Sequence, residues 1–104
     1  MYFISGEPDA PTNVQVVGIS WYSVNITWIK GYDGGGYGQR FVVSHRKKDK
    51  VDIILSDLID GPPYHIDDLL PLTEYEKFVT AMNDIDWSEP SDTIAVITEG
   101  IRIL

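Results

Sequence analysis

The fold is decided by residues 69–83, LLPLTEYEKFVTAMN. Pro71 lacks a backbone donor, so the first part of this stretch predicts a corner where no central strand can continue. From Tyr75 onward, inward-facing residues are expected at alternate positions, which predicts a strand. A tyrosine that opens a strand just past a proline corner is typical of a tyrosine corner, in which the phenol packs inward and its hydroxyl bonds to backbone a few residues upstream. The stretch therefore predicts a Greek-key sandwich, with Leu69, Pro71 and Tyr75 as structural residues.

The segments on both sides of this corner also predict short strands separated by turns. The clearest is 23–28, where Val24, Ile26 and Trp28 alternate with polar residues, and Trp28 is expected in the core. The glycines of 30–38, KGYDGGGYG, predict a loop. Seven strands result, and no helical period of useful length interrupts them, which is typical of an all-β sandwich. They cover residues 12–17, 23–28, 39–46, 51–55, a segment from residue 64 into the corner, 75–83 and 91–98.

Length, charge and cysteine content narrow the class of protein. A chain of 104 residues with 43% hydrophobic residues predicts one domain with its own core. The net charge of -8 opposes binding to nucleic acid, since phosphate recognition needs clustered lysine and arginine. The basic cluster at 46–50 is expected to be a solvated loop between strands. The chain has no cysteine, which excludes a disulfide, a cysteine-based zinc site and a thiol nucleophile.

Nothing in the sequence predicts direct insertion into a membrane. No apolar run approaches the ~20 residues of a membrane span. The first ten residues, MYFISGEPDA, lack the basic start and the long apolar stretch of a secretion signal. If the protein is secreted, we therefore expect this chain to be a fragment of a longer one.

The spacing of several residues carries a resemblance to a known family. These residues are Pro8, Pro11, Trp28, Phe41-x-Val43, Leu69-x-Pro71-x-Thr73-x-Tyr75, Val79-x-Ala81-x-Asn83 and Ser88-x-x-Ser91. The sequence resembles a single fibronectin type III module over roughly 8–99. The resemblance implies a seven-stranded immunoglobulin-like Greek-key sandwich with three strands packed on four. It leaves 1–7 as a linker or leader and 100–104 as a second linker.

A narrower resemblance lies in 28–41, WIKGYDGGGYGQRF. A glycine-rich loop that runs into Gln-Arg-Phe is similar to the type III module of nephrin-like adhesion receptors of the immunoglobulin superfamily. Those receptors carry immunoglobulin domains and one type III module close to the membrane. The resemblance implies neighbouring or partner immunoglobulin-like domains as partners.

Lys77 departs from the family pattern, which places an aromatic or apolar residue facing the core at this position. Two ways of accommodating it are open. Either Lys77 extends its amine to a sheet edge, or the strand is shifted locally and Phe78 supplies the apolar surface. His45 also stands where a tyrosine is usual, and Asp86 replaces the usual glycine of a turn.

No group of residues forms a pattern that predicts catalysis or metal binding. His45 and His65 are the only histidines, and they fall on strands predicted to lie in different sheets. Asp84-x-Asp86-x-Ser88 resembles the opening of a calcium loop, but the glycine and the distal glutamate of an EF-hand are missing. We therefore expect no enzymatic activity, no metal and no cofactor.

Asn25-Ile26-Thr27 is an acceptor sequence for N-glycosylation. The alternation within 23–28 puts Asn25 on the solvent face, opposite Trp28, where a glycan would fit. The resemblance to adhesion receptors favours use of Asn25 in the native protein.

Three aromatic residues are candidates for contact with other proteins. Tyr32, Tyr37 and Trp87 fall in loops that lie at one end of a module of this family. Aromatic rings beside glycine make an adaptable contact surface with little loss of entropy. The alternative is that each ring folds over the end of the core and covers it, which we favour for Tyr32.

Three functions are consistent with the sequence. The first is a non-enzymatic extracellular module of a plasma-membrane adhesion or recognition receptor, which spaces immunoglobulin domains and contacts its neighbours. The second is an intracellular structural module of a giant muscle protein, in which Asn25 would stay unmodified. The third is an accessory domain of a secreted glycoside hydrolase, whose exposed aromatic rings stack on sugar. A glycan on Asn25 would favour the first over the second, and polysaccharide binding lost on Trp87→Ala would favour the third.

Overall fold

The computed structural model describes residues 6–101, which fold into two packed antiparallel sheets. One sheet has the strand order β1-β2-β5 and the other has the order β4-β3-β6-β7. The predicted all-β sandwich of three strands on four is confirmed. Its strands are β1 (Thr12–Ile19), β2 (Val24–Ile29), β3 (Arg40–Lys47), β4 (Ile54–Leu55), β5 (Tyr64–Ile66), β6 (Glu74–Met82) and β7 (Ile94–Ile97).

The core lies between the two sheets and is filled by alternate residues of the central strands. On β2, Val24, Ile26 and Trp28 all face inward and are buried. The ring centroid of Trp28 lies 5.6 Å from that of Phe41 on β3, so the two rings join the sheets. Burial of one large apolar side chain contributes roughly 1.5–3 kcal/mol. The clean alternation of 23–28 therefore reflects the residues that hold the sandwich together.

Tyr75 forms the corner before β6. The Leu70 backbone N–H donates to Tyr75 Oη over 2.8 Å, five residues upstream of the tyrosine. The side chains of Tyr75 and Leu69 are buried. Pro71 lies in the turn itself, where the hydroxyl of Thr73 donates to the Pro71 carbonyl over 2.9 Å. The corner thus ties the end of the three-stranded sheet to the start of a central strand of the other sheet.

Several strands differ in extent from the prediction; β5, for example, ends at Ile66 and does not continue into the corner. The run 51–55 predicted a strand, but Ile54–Leu55 alone pairs with β3, and Val51 and Ile53 remain exposed at the edge of the sheet. β7 begins at Ile94 and not at Ser91, because Ser91 Oγ accepts a hydrogen bond from the Val79 backbone N–H over 2.8 Å. β1 continues two residues further than predicted.

Lys77 is accommodated in neither of the two ways that the sequence suggested. β6 keeps its regular pairing, with Lys77 opposite His45 on β3 and Ile94 on β7, so the strand is not shifted. Phe78 lies on the other face of β6. The Lys77 side chain is 0% exposed, so its amine does not reach solvent at the sheet edge. Among the residues that the structure describes, Lys77 Nζ has no hydrogen-bond partner.

Burial lowers the pKa of two basic side chains in the core, Lys77 and His45. Desolvation lowers the pKa of Lys77 from 10.5 to about 8, because a charged amine is poorly stabilised away from water. Burial, together with the Lys77 amine directly opposite, also lowers the pKa of His45 below 6.5. Two basic side chains therefore face each other on the core side of one sheet.

Candidate functional site

Three segments meet at one end of the sandwich, which we call the loop end: residues 6–11, 30–39 and 83–93. The Asp9 N–H donates to the Tyr32 carbonyl over 2.8 Å, and the Gly6 N–H donates to the Gly34 carbonyl over 2.9 Å. Residues 6–9 therefore run alongside the glycine-rich loop on a defined path. Gly6 belongs to the predicted linker, and its backbone is bonded to the module.

Asn83 joins these segments through its side-chain amide. Its Nδ2 donates to the Gly6 carbonyl over 2.7 Å and to the Asp33 carbonyl over 2.9 Å. Its Oδ1 accepts from the backbone N–H groups of Ile85 and Asp86, both over 2.9 Å. Asn83 is buried, so removal of the amide would leave several backbone groups without partners. The family motif included Asn83, but its long-range partners could not be read from the sequence.

Gly34 shows why the loop needs glycine. A Cβ at this position would lie 2.3 Å from the Gly6 carbonyl oxygen and 2.6 Å from the Glu7 carbonyl oxygen. Its φ of +80° also lies in the left-handed region that favours glycine. The glycine run predicted a loop correctly, and the close approach of the N-terminal segment is the reason for it.

Asp84 and Asp86 shape the loop between β6 and β7. Asp84 Oδ1 accepts from the Tyr37 N–H over 2.9 Å, and the Asp84 N–H donates to the Tyr37 carbonyl over 3.0 Å. Asp86 Oδ1 accepts from the Trp87 N–H over 2.7 Å. Within residues 6–101, no group of three or more His, Cys, Asp or Glu could hold a metal ion. The Asp84 carboxylate therefore links the two loops of this end, whereas the Asp86 carboxylate bonds within its own loop.

The aromatic candidates lie on the surface of the loop end. Tyr32, Tyr37 and Trp87 are 63%, 82% and 47% exposed. The expectation that the Tyr32 ring covers the core is wrong. Pro8 and Pro11 of the N-terminal segment, by contrast, are buried. The rings are consequently free to contact another molecule.

Asn25 lies apart from the loop end, near the start of β2 on the outer face of the three-stranded sheet. His65 on β5 is directly opposite it and hydrogen-bonds to its side chain. His45 belongs to the other sheet, so the prediction that the two histidines lie in different sheets is confirmed.

A groove of about 520 Å³ lies between the basic turn after β3 and the proline corner. His45, Asp52 and Asp68 line part of it, but no serine, threonine or cysteine is among its lining residues. The lining therefore provides no serine, threonine or cysteine nucleophile beside His45. In the part of the chain that the structure describes, no helix is long and apolar enough to cross a membrane.

Two sheets of three and four strands, joined by a tyrosine corner, define an immunoglobulin-like β-sandwich. The chain belongs to the fibronectin type III family, because the model of the fibronectin type III domain matches residues 9–96. The fold and the family that the sequence predicted are both confirmed.

The relatives of the chain include cell-surface receptors. It is 36% identical to neuronal cell adhesion molecule of Gallus gallus over 105 residues, and 27% identical to nephrin of Mus musculus over 99 residues. These matches cover 96% and 90% of the chain, which spans 8% of the length of each of these curated relatives. The resemblance to adhesion receptors of the immunoglobulin superfamily is therefore confirmed.

Among solved structures, the chain is similar to domains A168–A170 of titin. The TM-score is 0.80 and the sequence identity is 29%. The similarity covers 88% of this chain and 32% of the titin chain. The same fold therefore occurs both in surface receptors and in a muscle protein.

Proposed function

We propose that this chain is a non-enzymatic extracellular module of a plasma-membrane adhesion receptor. It holds neighbouring domains at a fixed spacing and contacts the domain that precedes it through the loop end. The relative named neuronal cell adhesion molecule supports a role in adhesion. The observation that carries the proposal is the attachment of residues 6–9 to the loop end.

The N-terminal segment suits a spacer because its path is defined. A flexible linker lets two domains reorient freely, whereas a linker bonded to one domain limits that motion. Hydrogen bonds from Gly6, Asp9 and Asn83 hold 6–9 against the loop end. In this proposal, the defined path of residues 6–9 places a preceding domain on the side of the exposed aromatic rings.

The chemistry of the loop end indicates what kind of surface it contacts. Tyr37 and Trp87 offer large rings with few rotatable bonds, which are favoured at contact sites. The surrounding charge is strongly negative, so the partner surface should be neutral or basic. The carboxylates within the three segments belong to Glu7, Asp9, Asp33, Asp84, Asp86, Glu89 and Asp92, and Lys30 is the one lysine there.

The test is a two-domain protein in which the preceding domain of the native protein is joined to this chain. NMR relaxation measures whether the two domains tumble as one body. Replacement of Tyr37 and Trp87 by alanine should let the two domains tumble separately. High salt should have a similar but smaller effect, because it screens the charges at the contact.

The matched control replaces Trp21 and Tyr22 by alanine. These rings are 43% and 44% exposed, and they lie at the opposite end of the sandwich, beside the proline corner. The control should leave joint tumbling unchanged. Separate tumbling of the unsubstituted two-domain protein, or an equal effect of the two pairs of substitutions, would contradict the proposed contact.

A second candidate is an intracellular structural module of a giant muscle protein. The similarity to titin domains favours it. Both candidates require a spacer, so the location of the native protein distinguishes them. A membrane-impermeant biotin reagent should label the native protein on intact cells if the receptor proposal is right. Labelling that appears only after permeabilisation would favour the second candidate.

A further inference from the structure

The acceptor sequence at Asn25 lies in the centre of the three-stranded sheet and takes no part in the loop end. Ile26 is fully buried in the core, so Asn25 and Thr27 point to the outer face of β2. We propose that Asn25 is an N-glycosylation site and that its oligosaccharide covers the outer face of this sheet. The inference rests on the extracellular location proposed above, because the sugar is added along the secretory route.

The residue beside Asn25 on β1 leaves room for a sugar. Gly18 pairs with Asn25, and a Cβ at position 18 would lie 2.9 Å from Asn25 Nδ2. Side chains do not normally approach that closely, so any larger residue would occupy the space next to Nδ2. Nδ2 is the atom that carries the sugar in an N-glycan. The glycine therefore keeps open the position that glycosylation needs.

The residue beside Asn25 on β5 orients the amide. Asn25 Oδ1 is hydrogen-bonded to His65 Nδ1, and His65 Nε2 lies 3.1 Å from Asp67 Oδ1. This contact turns Nδ2 away from His65 and toward Gly18. An amide nitrogen carries two hydrogens and glycosylation replaces one of them. The hydrogen bond to His65 is therefore compatible with a sugar on Nδ2.

The transfer has to take place before the sheet forms. Nδ2 forms a bond to the anomeric carbon of an oligosaccharide carried on a lipid diphosphate. The bond from that carbon to the diphosphate oxygen breaks, the lipid diphosphate leaves, and Nδ2 gives up one proton. In the folded module β2 is paired with β1 on one side and with β5 on the other. An enzyme cannot take up this segment as a free extended chain, so the acceptor is the nascent chain.

Glycosylation here would decide which surfaces of the module stay available. The outer face of the three-stranded sheet would be shielded by a hydrated oligosaccharide. The loop end lies away from Asn25 and would remain free for contact with a neighbouring domain. A sugar at this position is therefore consistent with the proposed contact and opposes contacts through the sheet face.

The test is expression of the full chain behind a secretory leader in mammalian cells. The secreted protein should carry the mass of an oligosaccharide, and peptide N-glycosidase in heavy-oxygen water should convert Asn25 to a labelled aspartate. Asn25→Gln and Thr27→Ala should each remove the added mass, whereas Thr27→Ser should keep it. Thr27→Ala leaves the bond between Asn25 and His65 in place, so it tests the site even if Asn25→Gln folds poorly. The folded, unmodified chain should accept no sugar from the purified transferase.

Secreted protein without sugar on Asn25 would overturn this inference and leave the proposed receptor function standing. Labelling of the native protein only inside permeabilised cells would instead overturn the receptor function, and use of Asn25 in the native protein with it. Modification of the folded chain would overturn the requirement for transfer before folding.

Discussion

Replacement of Lys77 by methionine should stabilise the module, and the gain should depend on pH. Methionine is unbranched and close to lysine in length, so it can fill the same space without a charge. The core face around position 77 contains two other titratable side chains, His45 opposite it and Tyr75 on the same strand. The neighbouring strand β7 places Ile94 beside Lys77, and the core around them is filled by apolar residues. None of these side chains can pair with an ammonium group.

The magnitude follows from the pKa of Lys77, which burial lowers from 10.5 to about 8. That difference corresponds to about 3 kcal/mol, and residual screening reduces it to about 2–3 kcal/mol. The folded chain binds the proton more weakly than the unfolded chain does. The cost is therefore full below pH 8 and disappears as the pH rises toward 10.5. At pH 7, Lys77→Met should raise the free energy of unfolding by about 2–3 kcal/mol.

The assay is urea unfolding followed by tryptophan fluorescence, at several pH values from 7 to 10. The difference in unfolding free energy between variant and wild type is the measured quantity. It should decrease by up to about 1.4 kcal/mol per pH unit above pH 8. Lys50→Met is the matched control, because Lys50 is exposed in the basic turn and its replacement should change the free energy of unfolding little.

Two results would refute the reasoning. A Lys77→Met variant that is no more stable than wild type at pH 7 would mean that the buried ammonium carries no cost. A gain that stays constant from pH 7 to 10 would mean that the stabilisation comes from apolar packing alone. Either outcome would require that Lys77 Nζ reaches water or a partner in solution.

Three further predictions concern the corner, the loop end and the core histidine. Tyr75→Phe should cost roughly 1–3 kcal/mol, because the upstream backbone N–H loses its acceptor; urea unfolding like that of wild type would count against the corner. Gly34→Ala should expose the amides of the N-terminal segment to hydrogen exchange, whereas Gly38→Ala, with a similar positive φ but open space, should not. Equal exchange in both variants would show that the positive φ, and not the close contact with the N-terminal segment, causes the exposure. Burial and the Lys77 amine lower the pKa of His45, so stability should fall as the pH drops below 6.5. His45→Gln should reduce that loss in urea unfolding between pH 7 and 5, and an unchanged loss would exclude His45 as its source.

Features that depend on neighbouring residues in the chain could be predicted well. The alternation of Val24, Ile26 and Trp28 follows from the period of a strand, and the proline corner with Tyr75 follows from local backbone chemistry. The sandwich, its seven strands and the family could be inferred from these signals. The strand predicted over 51–55 was too long. Its apolar residues are exposed, and apolar residues that no other surface covers do not specify a strand.

Features of the candidate site depend on residues far apart in the chain. Asn83 bonds Gly6, which lies 77 positions away, and Gly34 is required by the path of the N-terminal segment. Neither contact produces a periodic pattern in the sequence from which it could be predicted. The exposure of Tyr32 was also predicted wrongly, since a loop residue shows no periodic pattern from which its burial could be predicted.

The stretch 69–83 by itself determined the corner, the central strand that follows it and so the class of fold, because strand period and proline chemistry act locally. The tertiary structure alone decided the state of Lys77 within that stretch. Its side chain faces inward by the strand period, but whether an inward-facing amine finds water or a partner depends on the opposite strands. Here those strands supply apolar side chains and His45, and within residues 6–101 the buried amine has no hydrogen-bond partner.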